Sequence, residues 1–301
     1  MNDINQDNLI FRLFPSFTHP YISLMRLDRP IGFLLLFYPI SFSLVSIGKI
    51  NSNLIEYLIL FLIASIIMRS AGCVLNDILD RNIDINVIRT KFRPIASAKI
   101  STNQAYCLLF VLLLIGFYIL VQLNLPSIVL GLSIFPLLIL YPLAKRYFFI
   151  PQLILAITYN WGCLIGWTSI NSPYSFNTIF ILYLSLVLWT VIYDTIYASQ
   201  DEVDDRKMNL YSSSILFGSN KLLILNTLLI IQYLLLAFFG NQLSYHFVFY
   251  LIILITFTLN LLDINFNWSN KPENSIFYFK RNNYYGFLIL LSIIIGSQLN
   301  V

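Results

Sequence analysis

The chain has 301 residues, 58% of them hydrophobic and 11% charged, with a formal net charge of +4 and a mean hydropathy of +0.77. A soluble domain of this length carries about 25% charged residues, so this chain lacks the polar side chains to cover a water-facing surface, and most of its surface must face lipid. A charge of +4 is too small to mark a nucleic-acid partner, and where the charges sit says more than their sum.

Residues 1–28 contain Asp3, Asp7, Arg12, Arg26 and Asp28 but no apolar core region and no small-residue cleavage site. No signal peptide is expected, and the first apolar helix should insert and stay. A membrane span needs about 20 mostly apolar residues. Nine windows qualify, at roughly 30–48, 54–76, 104–122, 125–143, 150–170, 176–198, 220–240, 243–262 and 284–300. Connections 77–103, 199–219 and 263–283 are polar and charged, whereas those near 49–53, 123–124, 171–175 and 241–242 are short and nearly uncharged. Arg12, Arg26, Arg29, Arg81, Arg89, Lys91, Arg93, Lys99, Lys145, Arg146, Arg206, Lys207, Lys221, Lys271, Lys280 and Arg281 all fall on one side of this pattern. Only Lys49 occupies a connection on the other side, and Arg69 sits inside the second span. Basic residues mark the cytoplasmic side, so the N-terminus and the long connections are expected there. Cys73, Cys107 and Cys163 lie in apolar stretches, and their odd number argues against a disulfide framework. No linker divides the chain, so residues 1–301 read as one all-α membrane domain.

The acidic residues are unevenly spread: three of the 14 lie in 77–84 and five in 194–205. Unpaired carboxylates at a membrane boundary repel one another, so such clusters imply a compensating cation. At about 100° per helical residue, Asp77, Asp80 and Asp84 fall within roughly 60° of one another, with Asn76 at the border of the stripe and Arg69 within about 20° of Asn76. In the second cluster Asp194, Asp201 and Asp205 align within about 40° on a continued helix, with Tyr197 alongside. Asp204 lies further round, and Glu202 points away and reads as a bystander. Taken singly, either cluster could be a solvated helix end. Two on one membrane side, with matching spacing, point to hard oxygen ligands for Mg²⁺, which binds through a few carboxylates plus substrate phosphates. Arg89, Lys91, Arg93, Lys145 and Arg146 can hold further phosphate oxygens, although positive-inside topology accounts for each of them separately. A diphosphate at the water boundary with an apolar tail between the spans suggests an isoprenoid diphosphate. The residues alone carry the reading as far as a prenyl diphosphate enzyme.

Asn76, Asp77, Asp80 and Asp84 fit the pattern N-D-x-x-D-x-x-x-D, and Tyr197, Asp201 and Asp205 fit Y-x-x-x-D-x-x-x-D. These paired motifs resemble the UbiA superfamily. Leu24 through Gly32, Arg69 through Asn76, Arg89 through Pro94, Tyr141 through Tyr147 and Tyr193-Asp194-Thr195 resemble its 4-hydroxybenzoate branch. The resemblance runs from about residue 21 to 290. It departs in two places: Pro94-Ile95-Ala96-Ser97-Ala98 follows Arg93 where the family has P-L-P-S-G, and Asn209 stands where the family often has Gly.

The resemblance implies nine transmembrane helices around a central cavity, capped by cytoplasmic loops and open sideways to membrane lipids. It implies Mg²⁺, a polyprenyl diphosphate donor, 4-hydroxybenzoate as acceptor, and ubiquinone biosynthesis at a bacterial inner membrane with the active site facing the cytoplasm. Asn76, Asp77, Asp80, Asp84, Asp201 and Asp205 would then ligate the metal, with Asp77, Asp80, Asp201 and Asp194 catalytic. Arg69, Arg89, Lys91, Arg93 and Lys145 would hold the diphosphate. Arg146, Asp194 and Tyr197 would meet the acceptor. Arg146 is favoured for the acceptor's carboxylate because a planar guanidinium grips a carboxylate through two hydrogen bonds, and because no acidic residue lies close to it in sequence.

Two other readings stand beside this one. A relative with the same fold could act on homogentisate, a naphthoate, haem or a sugar phosphate. A cation-coupled transporter also carries intramembrane Asp and Arg. Transport predicts acidic residues near the bilayer midplane, whereas here they collect at one face, apart from Asp194.

Overall fold

The computed structural model describes residues 9–47, 51–86, 90–170 and 175–299, and every regular element among them is helical. The chain divides into two compact units. One is built from residues up to Leu34 together with Ile59–Leu123, the other from Leu35–Leu58 and the chain from Asn124 onward.

The first unit holds the short helices α1 (Leu9–Leu13) and α2 (His19–Leu24), the start of α3 (Ile31–Val45), most of α4 (Ser52–Leu79), α5 (Arg81–Asp84) and α6 (Thr102–Leu120). Ser101 starts α6 with a capping box, its hydroxyl accepting from the Gln104 amide while the Gln104 side chain accepts from the Ser101 amide. Ala71, Val74 and Ile78 of α4 recur at helical spacing and pack with Leu24, Ile95, Ile100, Ala105 and Leu112 into one apolar core. That stripe excludes Asp77, which falls on another face of the same helix.

Between α5 and α6 the chain turns tightly. The Ser97 amide donates to the Arg93 carbonyl at 2.8 Å, and the Ile100 amide to the Pro94 carbonyl at 3.1 Å. Ala98 in this turn has φ 57°, and Asn209, just past α11 (Glu202–Lys207), has φ 53°. These are the two positions where the pattern that the sequence resembles would place glycine, and a left-handed backbone would account for that. A left-handed φ costs a Cβ-bearing residue roughly 1–2 kcal/mol, and Asn tolerates it better than Ala. Ala98→Gly is therefore expected to raise stability by about 0.5–1 kcal/mol after the extra entropy of an unfolded glycine is deducted. Thermal unfolding of the detergent-solubilised protein checks this.

The second unit holds the rest of α3, the first turns of α4, α7 (Leu125–Ser133), α8 (Phe135–Tyr147), α9 (Pro151–Ser169), α10 (Phe176–Ala198), α11, α12 (Ser213–Phe217), α13 (Lys221–Gln242), α14 (Phe247–Leu262) and α15 (Ser275–Gln298). Helix α10 is central and packs on α9, α13 and α15. Interhelical hydrogen bonds fix each pairing. Asn160 donates to Thr190 Oγ1 at 2.8 Å, Ser185 to the Gln232 carbonyl at 2.9 Å, and Trp189 Nε1 to Asn282 Oδ1 at 2.8 Å. Helix α9 approaches α3 closely through Gly166, where an added Cβ would sit 2.5 Å from Ser43 Oγ.

Among the described residues five helical runs are long and apolar enough to cross a membrane: Ser52–Leu79, Thr102–Leu120, Phe176–Lys207, Ser213–Gln242 and Phe247–Trp268. Ile31–Val45 and Leu125–Leu140 are shorter apolar helices. The other two windows read from the sequence, 150–170 and 284–300, fall on α9 and α15, which carry Gln152, Asn160 and Asn282 as buried polar residues.

Two elements differ from their sequence windows. The segment 125–143 is interrupted at Ile134, because Pro136 has no amide to donate and its ring crowds the preceding turn. The polar connection 263–283 is largely helical. A π-helical turn, Asp263–Trp268, continues α14, and α15 begins already at Ser275. Long-range partners make its polar first turns stable. Arg281 Nε donates to buried Asp263 at 2.8 Å, Tyr285 OH also donates to Asp263, and Asn282 receives Trp189.

Candidate active site

The first motif forms a buried ion cluster within its unit. Asp77 and Asp84 are 2% and 5% exposed. Arg26 Nη2 donates to both oxygens of Asp77 at 3.0 Å. Arg93 Nη1 bridges Asp77 Oδ1 at 3.1 Å and Asp84 Oδ2 at 3.0 Å. Asn76 Nδ2 donates to Asp80 Oδ2 at 3.0 Å. Burial raises the Asp84 carboxyl above its ordinary value; Arg93 opposes the rise and the charge of Asp77 adds to it. The helix is not straight here, because α4 ends at Leu79 and Asp80, with φ −90° and ψ 4°, joins it to α5. The projection onto a continuous helix is thus an approximation, although the Asp84 amide still reaches the Asp80 carbonyl at 2.8 Å.

Arg26 is the residue that sequence reasoning missed, having counted it only as a topology signal. It stands in left-handed backbone with φ 57°, a conformation that costs an arginine about 1 kcal/mol or more. Its own Nη1 donates to the Ser23 carbonyl at 2.6 Å, and its pairing with Asp77 offsets the strain. The available signal was its place in the Leu24–Gly32 segment. In the same segment, an added Cβ on Gly32 would lie 2.8 Å from Arg69 Nε, so the glycine leaves room for that guanidinium.

In the second unit, the α10 helix gives way at Ser199–Asp201 to a tight turn, and α11 follows. Asp205 is buried, with Lys145 Nζ 3.9 Å from its Oδ2. Lys145 is thus close to an acidic residue in space, although distant from all of them in sequence. Asp194, Tyr197 and Asp201 are half-buried. Asp204 is exposed beside Lys207 at 3.4 Å.

Glu202, off the carboxylate stripe, has a structural role. Its carboxylate accepts from Arg206 at 2.9 Å, Ser214 Oγ at 2.9 Å and the buried Lys221 Nζ at 2.8 Å, tying α11 to α12 and α13. Hydroxyl pairs reinforce the joint: Thr195 meets Ser213 at 2.6 Å, Ser199 meets Ser214 at 3.0 Å, and Gln152 of α9 accepts from the Ser213 amide at 2.9 Å. The sequence projection placed Glu202 off the carboxylate stripe but could not supply a partner 19 residues away.

Aromatic residues run along α10. The Trp189 and Tyr193 rings are 5.7 Å apart, and Phe279 of α15 lies 5.7 Å from Tyr193 and 4.7 Å from Tyr197. Of these aromatics sequence reasoning gave a site role to Tyr197 alone, although the spacing 189, 193, 197 was legible as one helix face. Lys91 is exposed and stacks over Phe92 at 5.0 Å. Arg89 and the side chain of Arg146 lie outside the described residues. Among the described residues no three His, Cys, Asp or Glu side chains are grouped as a ready-made metal site. The candidates are nonetheless all hard oxygen donors, which suits a hard divalent cation.

A family model described as the UbiA prenyltransferase family matches residues 34–284, most of the chain. The chain belongs to the UbiA prenyltransferase family. Over 204 residues it is 45% identical to the mitochondrial 4-hydroxybenzoate polyprenyltransferase of Drosophila pseudoobscura pseudoobscura, an alignment covering 67% of this chain and 51% of that protein. The chain thus spans about half the length of such mitochondrial relatives. Over 276 residues it is 36% identical to the 4-hydroxybenzoate octaprenyltransferase of Haemophilus ducreyi, covering 91% of this chain and 99% of that one. Among solved structures, an apo UbiA homolog from Aeropyrum pernix K1 aligns with a TM-score of 0.69 at 24% identity, over 88% of this chain and 97% of that one. A UbiA homolog from Archaeoglobus fulgidus bound to GPP and Mg²⁺ aligns with a TM-score of 0.68 at 16% identity, over 90% and 99%. These likenesses establish the UbiA fold, and with the apolar helices they make this UbiA family member a multi-pass membrane protein.

Proposed function

We propose that this chain transfers a polyprenyl group from polyprenyl diphosphate to the ring of 4-hydroxybenzoate, ortho to the phenol, as a step of ubiquinone biosynthesis. The observation that carries the reading is the buried cluster of Asp77, Asp84, Arg26 and Arg93 on a motif that resembles the family's. Names of relatives at 36–45% identity support the acceptor. The family's nine spans around a central cavity, with the site on the cytoplasmic side, belong to the same proposal.

In this reading Asn76, Asp77, Asp80, Asp84, Asp201 and Asp205 hold Mg²⁺, which supplies Lewis-acid stabilisation of the leaving diphosphate. Arg26 and Arg93, which balance the carboxylates without substrate, turn part of their donors to phosphate oxygens, together with Arg69, Arg89, Lys91 and Lys145. The allylic C–O bond breaks with its electron pair leaving on diphosphate. The electron-rich ring carbon ortho to the phenol forms the new C–C bond, and that carbon then loses its proton. Tyr197 and Phe279, backed by Tyr193 and Trp189, offer aromatic faces that favour a nearby allylic cation. Asp194 accepts from the phenol and raises ring electron density, and Arg146 grips the benzoate carboxylate.

The roles separate kinetically. Arg146→Lys is expected to raise the KM for 4-hydroxybenzoate by about tenfold or more, a loss of about 1.4 kcal/mol, and to leave that for the prenyl diphosphate nearly unchanged. Asp194→Asn is expected to lower kcat more than it alters either KM. If Arg146→Lys instead weakens only the diphosphate substrate, Arg146 belongs to the phosphate site.

A further inference from the structure

The N-terminal segment of the first unit has features that neither the fold nor the transfer reaction uses. Helices α1 and α2 and the turn at 94–99 enclose a recess of about 480 Å³ whose lining includes Arg12, His19 and Lys99 beside Phe11, Pro20 and Pro94. Among the described residues no acidic side chain lines it. Among the described residues neither Arg12 nor Lys99 forms an ion pair. His19 Nε2 lies 2.9 Å from the Phe14 carbonyl, so it donates there. Its ring is held edge-on to Phe11 at 5.1 Å, leaving the other ring nitrogen for a ligand.

Beside this basic recess stands a row of exposed apolar side chains: Leu9 and Leu13 are each 69% exposed, Phe14 51% and Phe17 75%. Four large apolar residues on one short segment are unfavourable in water and favourable at the acyl boundary of a bilayer. Placing them there brings Arg12 and Lys99 to the depth of the lipid phosphates. Basic recesses beside membrane helices suit anionic headgroups.

We propose that the recess binds the phosphate of an anionic phospholipid, with Arg12 and Lys99 holding the phosphate oxygens and Leu9, Leu13, Phe14 and Phe17 packing on its acyl chains. The occupant would do more than anchor the segment. Ser23 lines the same recess, and its carbonyl accepts from both the Arg26 amide at 3.3 Å and Arg26 Nη1 at 2.6 Å. Arg26 in turn grips Asp77. A lipid that fixes α2 therefore steadies the left-handed turn that aims Arg26 at the first motif. This binding does not depend on which acceptor the enzyme uses.

Native mass spectrometry of the purified full chain tests it, with equimolar phosphatidylglycerol and phosphatidylcholine of identical acyl chains. Wild type is expected to retain phosphatidylglycerol at least about fivefold over phosphatidylcholine, and the preference should shrink as salt rises. Arg12→Gln combined with Lys99→Gln should abolish the preference, whereas Arg12→Lys should keep it. Equal retention of the two lipids by wild type, or a preference indifferent to salt, would overturn the proposal. So would a preference that persists in the double variant, or displacement of the lipid by inorganic diphosphate, which would make the recess a site for free phosphate.

Discussion

Replacing Asp77 by alanine is expected to cut prenyl transfer by at least about a thousandfold, a loss of about 4 kcal/mol, while membrane insertion survives. Asp77 is nearly sealed from solvent and takes hydrogen bonds from two guanidiniums on separate segments, Arg26 and Arg93. Its removal deletes a proposed metal ligand and also leaves Arg26 without the carboxylate that holds it in a left-handed turn. Arg93 keeps Asp84 as a partner, so the fold should persist. Asp77→Asn separates shape from charge: it preserves the outline and some hydrogen bonding but not the negative charge. Asp80→Ala, Asp201→Ala and Asp205→Ala should fall into the same class if both motifs serve one reaction. Initial rates at limiting Mg²⁺ decide the matter. Near-normal rates for both Asp77→Ala and Asp201→Ala would remove the carboxylates from the mechanism.

Glu202→Gln should produce the opposite profile, a stability loss with catalysis largely retained. Lys221 is buried, its side chain only 5% exposed, and Glu202 is the acidic partner at 2.8 Å. Removing one member of a buried pair typically costs 3–5 kcal/mol. The Glu202 side chain is 22% exposed, so water offsets part of that cost and a loss of about 2 kcal/mol is expected. In a chain of this size that corresponds to a fall in Tm of about 4–6 °C. Below the transition, the transfer rate should change by less than about threefold, under ~1 kcal/mol, because Glu202 faces α12 and α13 rather than the carboxylate stripe. An unchanged Tm would mean that Lys221 does not depend on this charge. A hundredfold rate loss would place Glu202 in the reaction.

Local and periodic features were legible in the sequence. The apolar windows fell on helices, and the two Asp-rich motifs fell at the ends of α4 and α10, because 20-residue hydrophobicity and helical spacing are properties of contiguous chain. Pairings across long separations were not legible. Arg26 meets Asp77 over 51 residues, Glu202 meets Lys221 over 19, and Lys145 meets Asp205 from another helix. The helical start of α15 was hidden for the same reason: Lys280, Arg281 and Asn282 read as a polar connection until Asp263 and Trp189 supply partners. Some signals were present but unread. Pro136 inside an apolar window announces an interruption. Ala98 and Asn209 are departures from glycine in the pattern the sequence resembles, a sign of left-handed turns, and both have positive φ.

The central claim is that two carboxylate motifs on a membrane-embedded helical scaffold carry out prenyl transfer to 4-hydroxybenzoate. The most direct test supplies the purified chain, in lipid vesicles, with Mg²⁺, a polyprenyl diphosphate and a panel of 4-hydroxybenzoate, homogentisate and a dihydroxynaphthoate, and then identifies the products by mass spectrometry and NMR. The prediction is 4-hydroxybenzoate prenylated ortho to the phenol with one equivalent of diphosphate released, and loss of the reaction on chelation of Mg²⁺. Prenylation of homogentisate or the naphthoate with 4-hydroxybenzoate left untouched would contradict the assigned acceptor, and equal turnover in the presence of a chelator would contradict the role given to the carboxylates.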